Sequence, residues 1–449
     1  MVELGQVHST IHTIAPEILS EIFIHCIPDH FQTSIHPFPT SMRRLDHAPL
    51  LIGRVCSRWR SVTISTPELW SSIVVGTDRP YKGVNFRKEL EAVRLWVSRS
   101  RSLPLSIVIG YSYITSPGHS PDEQLLSQLF HTLIAQSRRW RSFRAKVPEE
   151  FVDSLLVPFR TGDLPQLVNF VCEQIRAHSI KLSSAPRLEF VYLAGSAIHI
   201  DFGNQINVIK SLDVTRYNDP AVTLGDLLIC LTQCPLLNTL AISIGSLSQG
   251  NLQPQEIPAV IELPFLRYFN LYIHSDADPC DLFDRLFLPA LNKLQLTMYH
   301  SAKRDWPHLG PLLKRSHSPL DDLSLVGVPM TESTLLECLC YAPGIRQLLI
   351  YGIGYTDTTL NSFTINHNSP AASEVLCPML REITLASAHP SPEGLKAMIL
   401  SRRCGRNQSL ITSENELQCV SCAHSSIESI LDDPEIARCV AEGLQLISR

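Results

Sequence analysis

The sequence predicts an α/β protein, with a short N-terminal unit of three helices followed by a curved solenoid of strand–helix repeats. Three observations predict it. A Leu-x-x-Leu-x-Leu spacing recurs nine times from residue 164 onward. Stretches with helical spacing lie between several of these matches, and the first 75 residues carry helical patterns without that spacing.

The chain has 449 residues, 44% of them hydrophobic and 18% charged, which is the composition of a globular protein with ample core. A net charge of −5 argues against wholesale binding of nucleic acid or an anionic membrane, which need a basic surface. The N-terminus lacks the pattern of a signal peptide, and no apolar run approaches the ~20 residues that cross a bilayer, so the expected location is cytoplasmic or nuclear. In such a reducing compartment the 13 scattered cysteines read as thiols.

Residues 1–13 read as a flexible N-terminus. In "APEILSEIFIHCI", Ile18, Leu19, Ile22, Phe23 and Cys26 fall at helical spacing. After Pro49, Leu51, Val55, Trp59 and Val62 recur at helical steps and predict one continuous helix whose apolar face fills a small core. A third helix is predicted at "TPELWSSI", with Thr66 as its cap, Pro67 in the first turn, and Leu69, Trp70 and Ile73 on it. Three short helices bury little surface alone, so a partner is expected. Residues 76–163 read as a linker with degenerate first repeats, "LPLSIVIG" and "RWRSFRAKVP", each following an amphipathic helix.

The repeats proper span residues 164–400. Their first positions are Leu167, Leu188, Ile209, Leu237, Leu266, Leu291, Leu320, Ile345 and Leu380, so the intervals are 21, 21, 28, 29, 25, 29, 25 and 35 residues. The closing x-Leu-x-Leu-x alternates as a strand must, one side inward and the other outward. Thr223 and Thr331 are suited to cap the helices that precede two of the strands. A plain α/β domain with a parallel sheet is the alternative, though it would not need the Leu-x-x-Leu-x-Leu register. Residues 401–449, with Ile427, Ile430, Leu431 and Ile436 around Pro434, are expected to cap the last repeat.

These repeats resemble the irregular leucine-rich repeats of eukaryotic intracellular proteins. The N-terminal residues resemble the F-box, as found in F-box-like proteins of mushroom-forming fungi. Ile14, Glu17, Ile18, Leu19, Ile22 and Phe23 match the first helix of that family, and Val55, Cys56, Arg58, Trp59 and Arg60 match the second. Ala15 stands at a position where the family usually has proline, with Pro16 one place later, and residues 28–47 form an insertion. The resemblance implies that Ile14, Pro16, Glu17, Ile18, Leu19, Ile22, Phe23, Leu51, Val55, Cys56 and Trp59 dock a Skp-type adaptor and thereby a cullin. It further implies a substrate-recognition subunit of an SCF-type ubiquitin ligase, residues 14–75 forming the F-box and the repeats capturing an unknown target protein. A stand-alone leucine-rich-repeat scaffold is the alternative.

Rival chemistries are weakly supported. Arg54, Arg58 and Arg60 could suggest a DNA-reading helix, but the chain is acidic and lacks basic flanks. Cys419, Cys422 and His424 offer the start of a zinc site without a second ligand pair, the remaining candidates Cys404 and Cys439 being isolated. No Gly-x-Ser-x-Gly, Walker loop or His-Glu-x-x-His occurs, so a non-catalytic protein with no cofactor or metal is expected. Strands about 4.8 Å apart would give nine of them a face roughly 40 Å long. On its outward side the register places Phe190, Tyr192, Tyr268, Asn270, Tyr272, Lys293, Gln295, Asp322, Gln347, Leu349 and Tyr351. Tyr192, Tyr268, Tyr272 and Tyr351 are the expected anchors for a protein partner. Alternatively these aromatics only shield neighbouring strands.

Overall fold

The computed structural model describes residues 13–27, 41–76, 85–111, 121–162, 164–176, 179–196, 199–203, 205–214, 222–245, 258–274, 278–298, 305–365, 375–386, 391–403 and 416–448. They divide into two compact units, residues 1–195 and 196–449. Each is mixed α/β, with parallel strands joined by helices.

The first unit opens with α1 (Pro16–Ile24), which Pro16 starts because its missing N–H costs nothing in the first turn. The continuous helix expected after Pro49 is two pieces. A 3₁₀ turn covers Ile52–Arg54, Cys56 is fully extended (φ −158°, ψ 171°), and α2 runs from Ser57 to Ser65. The Cys56 sulfur accepts the Trp59 N–H at 3.4 Å, so cysteine acts here as a helix cap. This break takes Leu51 and Val55 off the face shared by Trp59 and Val62, and both are exposed.

The third predicted helix is also corrected. Pro67–Trp70 forms one 3₁₀ turn and Ser72–Gly76 is a strand, with Ile73 fully buried in it. The β-branched run Ile73-Val74-Val75 favours the pleated conformation. Thr66 does not cap; its hydroxyl donates back to the Val62 carbonyl at 2.8 Å.

That strand pairs in parallel with Leu105–Gly110, followed by Trp140–Lys146, Asn169–Arg176 and Phe190–Ser196. The helices α3 (Phe86–Arg99), α4 (Pro121–Ile134) and α5 (Glu149–Thr161) make the crossovers. Residues 76–163 therefore carry strand–helix layers of the first unit's sheet. Gly76 has φ +70°, and a Cβ there would lie 2.5 Å from the Gly110 carbonyl oxygen, which requires glycine at this close approach. Trp70 holds the helices to the sheet: its indole donates to Thr63 O at 2.8 Å and its ring meets Trp96 edge-on at 4.7 Å. Met42 N–H donates to Val74 O at 3.1 Å, and Arg43 lies 3.7 Å from the buried Glu89. Glu89 also accepts from Gly76 N–H and the Tyr111 hydroxyl.

The second unit is a parallel sheet of Ser211–Val214, Thr239–Ile244, Tyr268–Ile273, Lys293–Met298, Asp322–Val326, Gln347–Tyr351, Glu382–Ala386, Cys419–Cys422 and Gln445–Ser448, in that order. The pairing is in register without a bulge, so Tyr268, Lys293, Asp322, Gln347, Glu382, Cys419 and Gln445 form one row. The helices are α6 (Leu224–Gln233), α7 (Cys280–Arg285), α8 (Leu309–Ser316), α9 (Glu332–Cys340), α10 (Asp357–Phe363), α11 (Pro392–Arg403), α12 (His424–Leu431) and α13 (Pro434–Ala441). Thr223 opens α6 with a capping box to Asp226, and Thr331 caps α9, as its sequence predicts.

Across both units, every inward position predicted from the nine Leu-x-x-Leu-x-Leu matches is buried. Residues 401–449 do not simply end the sheet, since they add its last two strands. Ile427, Ile430 and Ile436 are buried there, while Leu431 is exposed.

Candidate functional site

Two surfaces contain the residues singled out by sequence. On the N-terminal helices, Leu19 and Phe23 point into the core and Phe23 meets the half-buried Trp59 at 4.9 Å between ring centroids. The exposed positions of α1 mix apolar Ile18 and Ile22 with Glu17 and Glu21. Ile18, Ile22, Leu51 and Val55 are each 46–58% exposed, and Leu45 and Ile64 are exposed too. Pro16 and Glu17 are exposed and Cys56 is half-buried. Ile14 is half-buried, and its carbonyl accepts from the Arg58 guanidinium, which links the start of α1 to α2. Arg60 donates to Gly53 O at 2.9 Å, bracing the turn that presents Leu51 and Val55.

Isolated exposed apolar side chains are ordinary, and it is contiguous exposed apolar patches that serve as interaction sites. Covering the four of them would release about 4 kcal/mol, at roughly 1 kcal/mol for each half-exposed aliphatic side chain. The expectation that Leu51 and Val55 fill the helical core is thus overturned by the Cys56 break.

The second surface is the outward side of the sheet in the second unit. Nine of the eleven expected face residues lie there, whereas Phe190 and Tyr192 belong to the first unit and are half-buried. Asn270 is 6% exposed and so contributes little surface. Tyr268 is half-buried and donates to Gln295 Oε1 at 2.9 Å; Lys293 is 2.5 Å from Asp322. Burial pushes the Tyr268 hydroxyl above its ordinary value, partly offset by a hydrogen bond with Asn270. These groups satisfy one another. Gln347 and Tyr351 are different, both exposed with no side-chain hydrogen bond among the described residues, and Leu349 lies between them half-buried. The available part of the face therefore centres on Gln347, Leu349, Tyr351 and the exposed Glu382, which sequence analysis had not singled out although its register with Gln347 places it beside that residue.

Cys419 and Cys422 cannot share a metal ion. Cys419 pairs with outward Glu382 and Cys422 with inward Leu385, so the two thiols leave opposite sides of one strand. Burial pushes the Cys422 thiol up to about 11, which keeps it protonated. The side chain of His424 and all of Cys404 lie outside the described residues, and among the described residues no cluster suits a metal. No described helix is long and apolar enough to cross a membrane.

No family model and no curated protein matches the chain. The two surfaces described above are therefore the basis for a functional reading.

Proposed function

We propose that the protein is a substrate-recognition subunit of an SCF-type cullin-RING ubiquitin ligase, non-catalytic itself, with F-box-like helices docking a Skp-type adaptor and a leucine-rich-repeat face capturing a target protein. The observation that carries this reading is the uncovered set Ile18, Ile22, Leu51 and Val55. These are positions at which the F-box resemblance implies adaptor contacts. In this reading Leu19, Phe23 and Trp59 hold the helices together and shape the surface from beneath.

The chemistry belongs to the partners. A target held by the sheet face and a ubiquitin-carrying enzyme recruited through the adaptor meet at high effective concentration, so transfer to a target lysine becomes nearly intramolecular. The test is reconstitution with a recombinant Skp-type adaptor and cullin. Wild-type chain is expected to co-purify with both, and Ile18→Asp with Val55→Asp to lose them. Because both side chains are exposed, the double variant should keep its unfolding free energy within about 1 kcal/mol. A folded wild-type chain that recovers no adaptor would leave the stand-alone scaffold in its place.

A further inference from the structure

We infer that the partner segment captured on the outward face of the second unit is basic and extended, with an apolar side chain close to its lysine or arginine. This chemistry extends the proposed role of that face in capture and rests on it.

Charge calls for the basic side chain. Across the outward positions of the described strands from Ser211–Val214 to Cys419–Cys422, the charged residues are Asp213, Asp322 and Glu382 against Lys293 alone. The Lys293 ammonium is held by Asp322 at 2.5 Å and lies three strands away from Glu382. At about 4.8 Å per strand that is roughly 14 Å, too far for an ion pair. Arg346, the residue before Gln347, is likewise engaged, 3.4 Å from Asp321. Glu382 itself is exposed and makes no side-chain hydrogen bond or ion pair among the described residues. A cation from a partner is the group this carboxylate lacks, whereas a phosphorylated or acidic segment would meet repulsion.

The neighbours of Glu382 set the form of the segment. Gln347 pairs with it in register, and Leu349 and Tyr351 follow on the same side of that adjacent strand, Tyr351 being 51% exposed. From Gln347 to Tyr351 the strand runs about 13 Å. An extended segment lying along it directs a side chain at the face every ~7 Å, so successive ones meet Glu382, Leu349 and Tyr351. The aliphatic stem of a lysine or arginine can cover Leu349 while its charged head reaches Glu382. An apolar side chain further along then covers the Tyr351 ring, and the Gln347 amide offers both a donor and an acceptor to the segment's main chain.

Selection of displayed random peptides of about nine residues, which span ~30 Å when extended, on the full chain tests this. The peptides recovered are expected to be enriched in lysine or arginine with an apolar residue about two to four places away. Glu382→Gln should abolish the charge preference, and Glu382→Lys should turn it towards aspartate and glutamate. Glu337→Lys makes the same charge change on the exposed side of α9 and should leave the preference as in the wild type. A recovered peptide should bind Glu382→Lys at least about tenfold more weakly than the wild type. Enrichment of acidic or uncharged peptides by the wild type, no enrichment at all, or a basic preference that survives Glu382→Lys would overturn the inference. Reconstitution with the adaptor separates this outcome from failure of the ligase reading. Adaptor recovered without a basic preference leaves that reading standing, and a basic preference reversed by Glu382→Lys without any adaptor leaves a scaffold that captures basic segments.

Discussion

Arg402 and Arg403 show how single residues join neighbouring layers. Arg402 is almost wholly buried and donates to the carbonyls of Phe363, Leu376 and Cys377 at 2.7–3.1 Å, all earlier in the chain. Arg403 donates forward, to Leu417, Glu442 and Cys439 at 2.8–3.4 Å, and lies 3.5 Å from Glu416. Burial pushes the Arg402 guanidinium down to about 10, which still leaves it charged at neutral pH. The same device recurs at Arg315, which reaches the Phe283 and Leu286 carbonyls, and at Arg139, which reaches that of Leu103. Arg402→Met should lower unfolding free energy by about 2–4 kcal/mol in urea titration, since two buried carbonyls and one half-buried one lose a charged donor together. Arg402→Lys should recover only part of this, because an ammonium cannot span the fork. None of this is legible in "SRRCGR", where arginines at the end of an amphipathic helix read as solvated.

At the scale of elements, the helices of the second unit are stapled by carboxylates at their starts. Asp305 accepts from the Thr331 N–H and the Thr334 hydroxyl, and Glu332 accepts from the N–H and hydroxyl of both Thr356 and Thr359 at 2.6–3.1 Å. Asp357 accepts from Ser391 N–H at 3.1 Å. Each acidic group thus caps the next helix along. Burial pushes the Glu332 carboxyl up, but the hydrogen bonds from Thr359 and Thr356 outweigh it and hold the group below its ordinary 4.5. A depressed folded-state value means that this stabilisation is present above pH 4.5 and lost as pH falls through the folded-state value. Glu332→Gln should therefore lower stability by about 1 kcal/mol at neutral pH, and melting curves of the two proteins should converge on acidification. Caps within one helix, such as Thr223 and Thr331, are legible from local spacing. Caps between helices are not, because the partners are 24–34 residues apart in sequence. The same limit explains the N-terminal helices: spacing identifies the apolar positions, but only the extended backbone of Cys56 decides which of them face solvent.

For the molecule as a whole, period was the strongest signal. Leucine-type residues every 21–35 positions fix the inward rows of nine strands. The outer strands escape the same pattern because other residue types replace leucine. Trp140-x-x-Phe143-x-Ala145 and Leu417-x-x-Val420-x-Cys422 keep its spacing and are equally buried. On the outward side the register assigns positions correctly but not availability, since Tyr268 and Lys293 are engaged by Gln295 and Asp322. In the proposed role, capture of a target would therefore depend more on Tyr351 and Gln347 than on Tyr268. Proximity labelling with a Tyr351→Ala, Gln347→Ala double variant is expected to lose target proteins labelled by the wild type while retaining the adaptor. Point variants also suit the N-terminal surface better than deletion of residues 1–75, which would remove most of the Ser72–Gly76 strand.

The pairing of each strand with a near neighbour in sequence, as with Tyr268 and Lys293, bears on how the chain is made. A newly emerged strand finds its partner already outside the ribosome, because the two are separated by about one layer and not by most of the chain. At a synthesis rate of about 5–20 residues per second, the 25 residues from Tyr268 to Lys293 are added in about 1–5 s. Assembly can then follow translation from the N-terminus, with the exposed edge at any moment being the one that the next segment will cover.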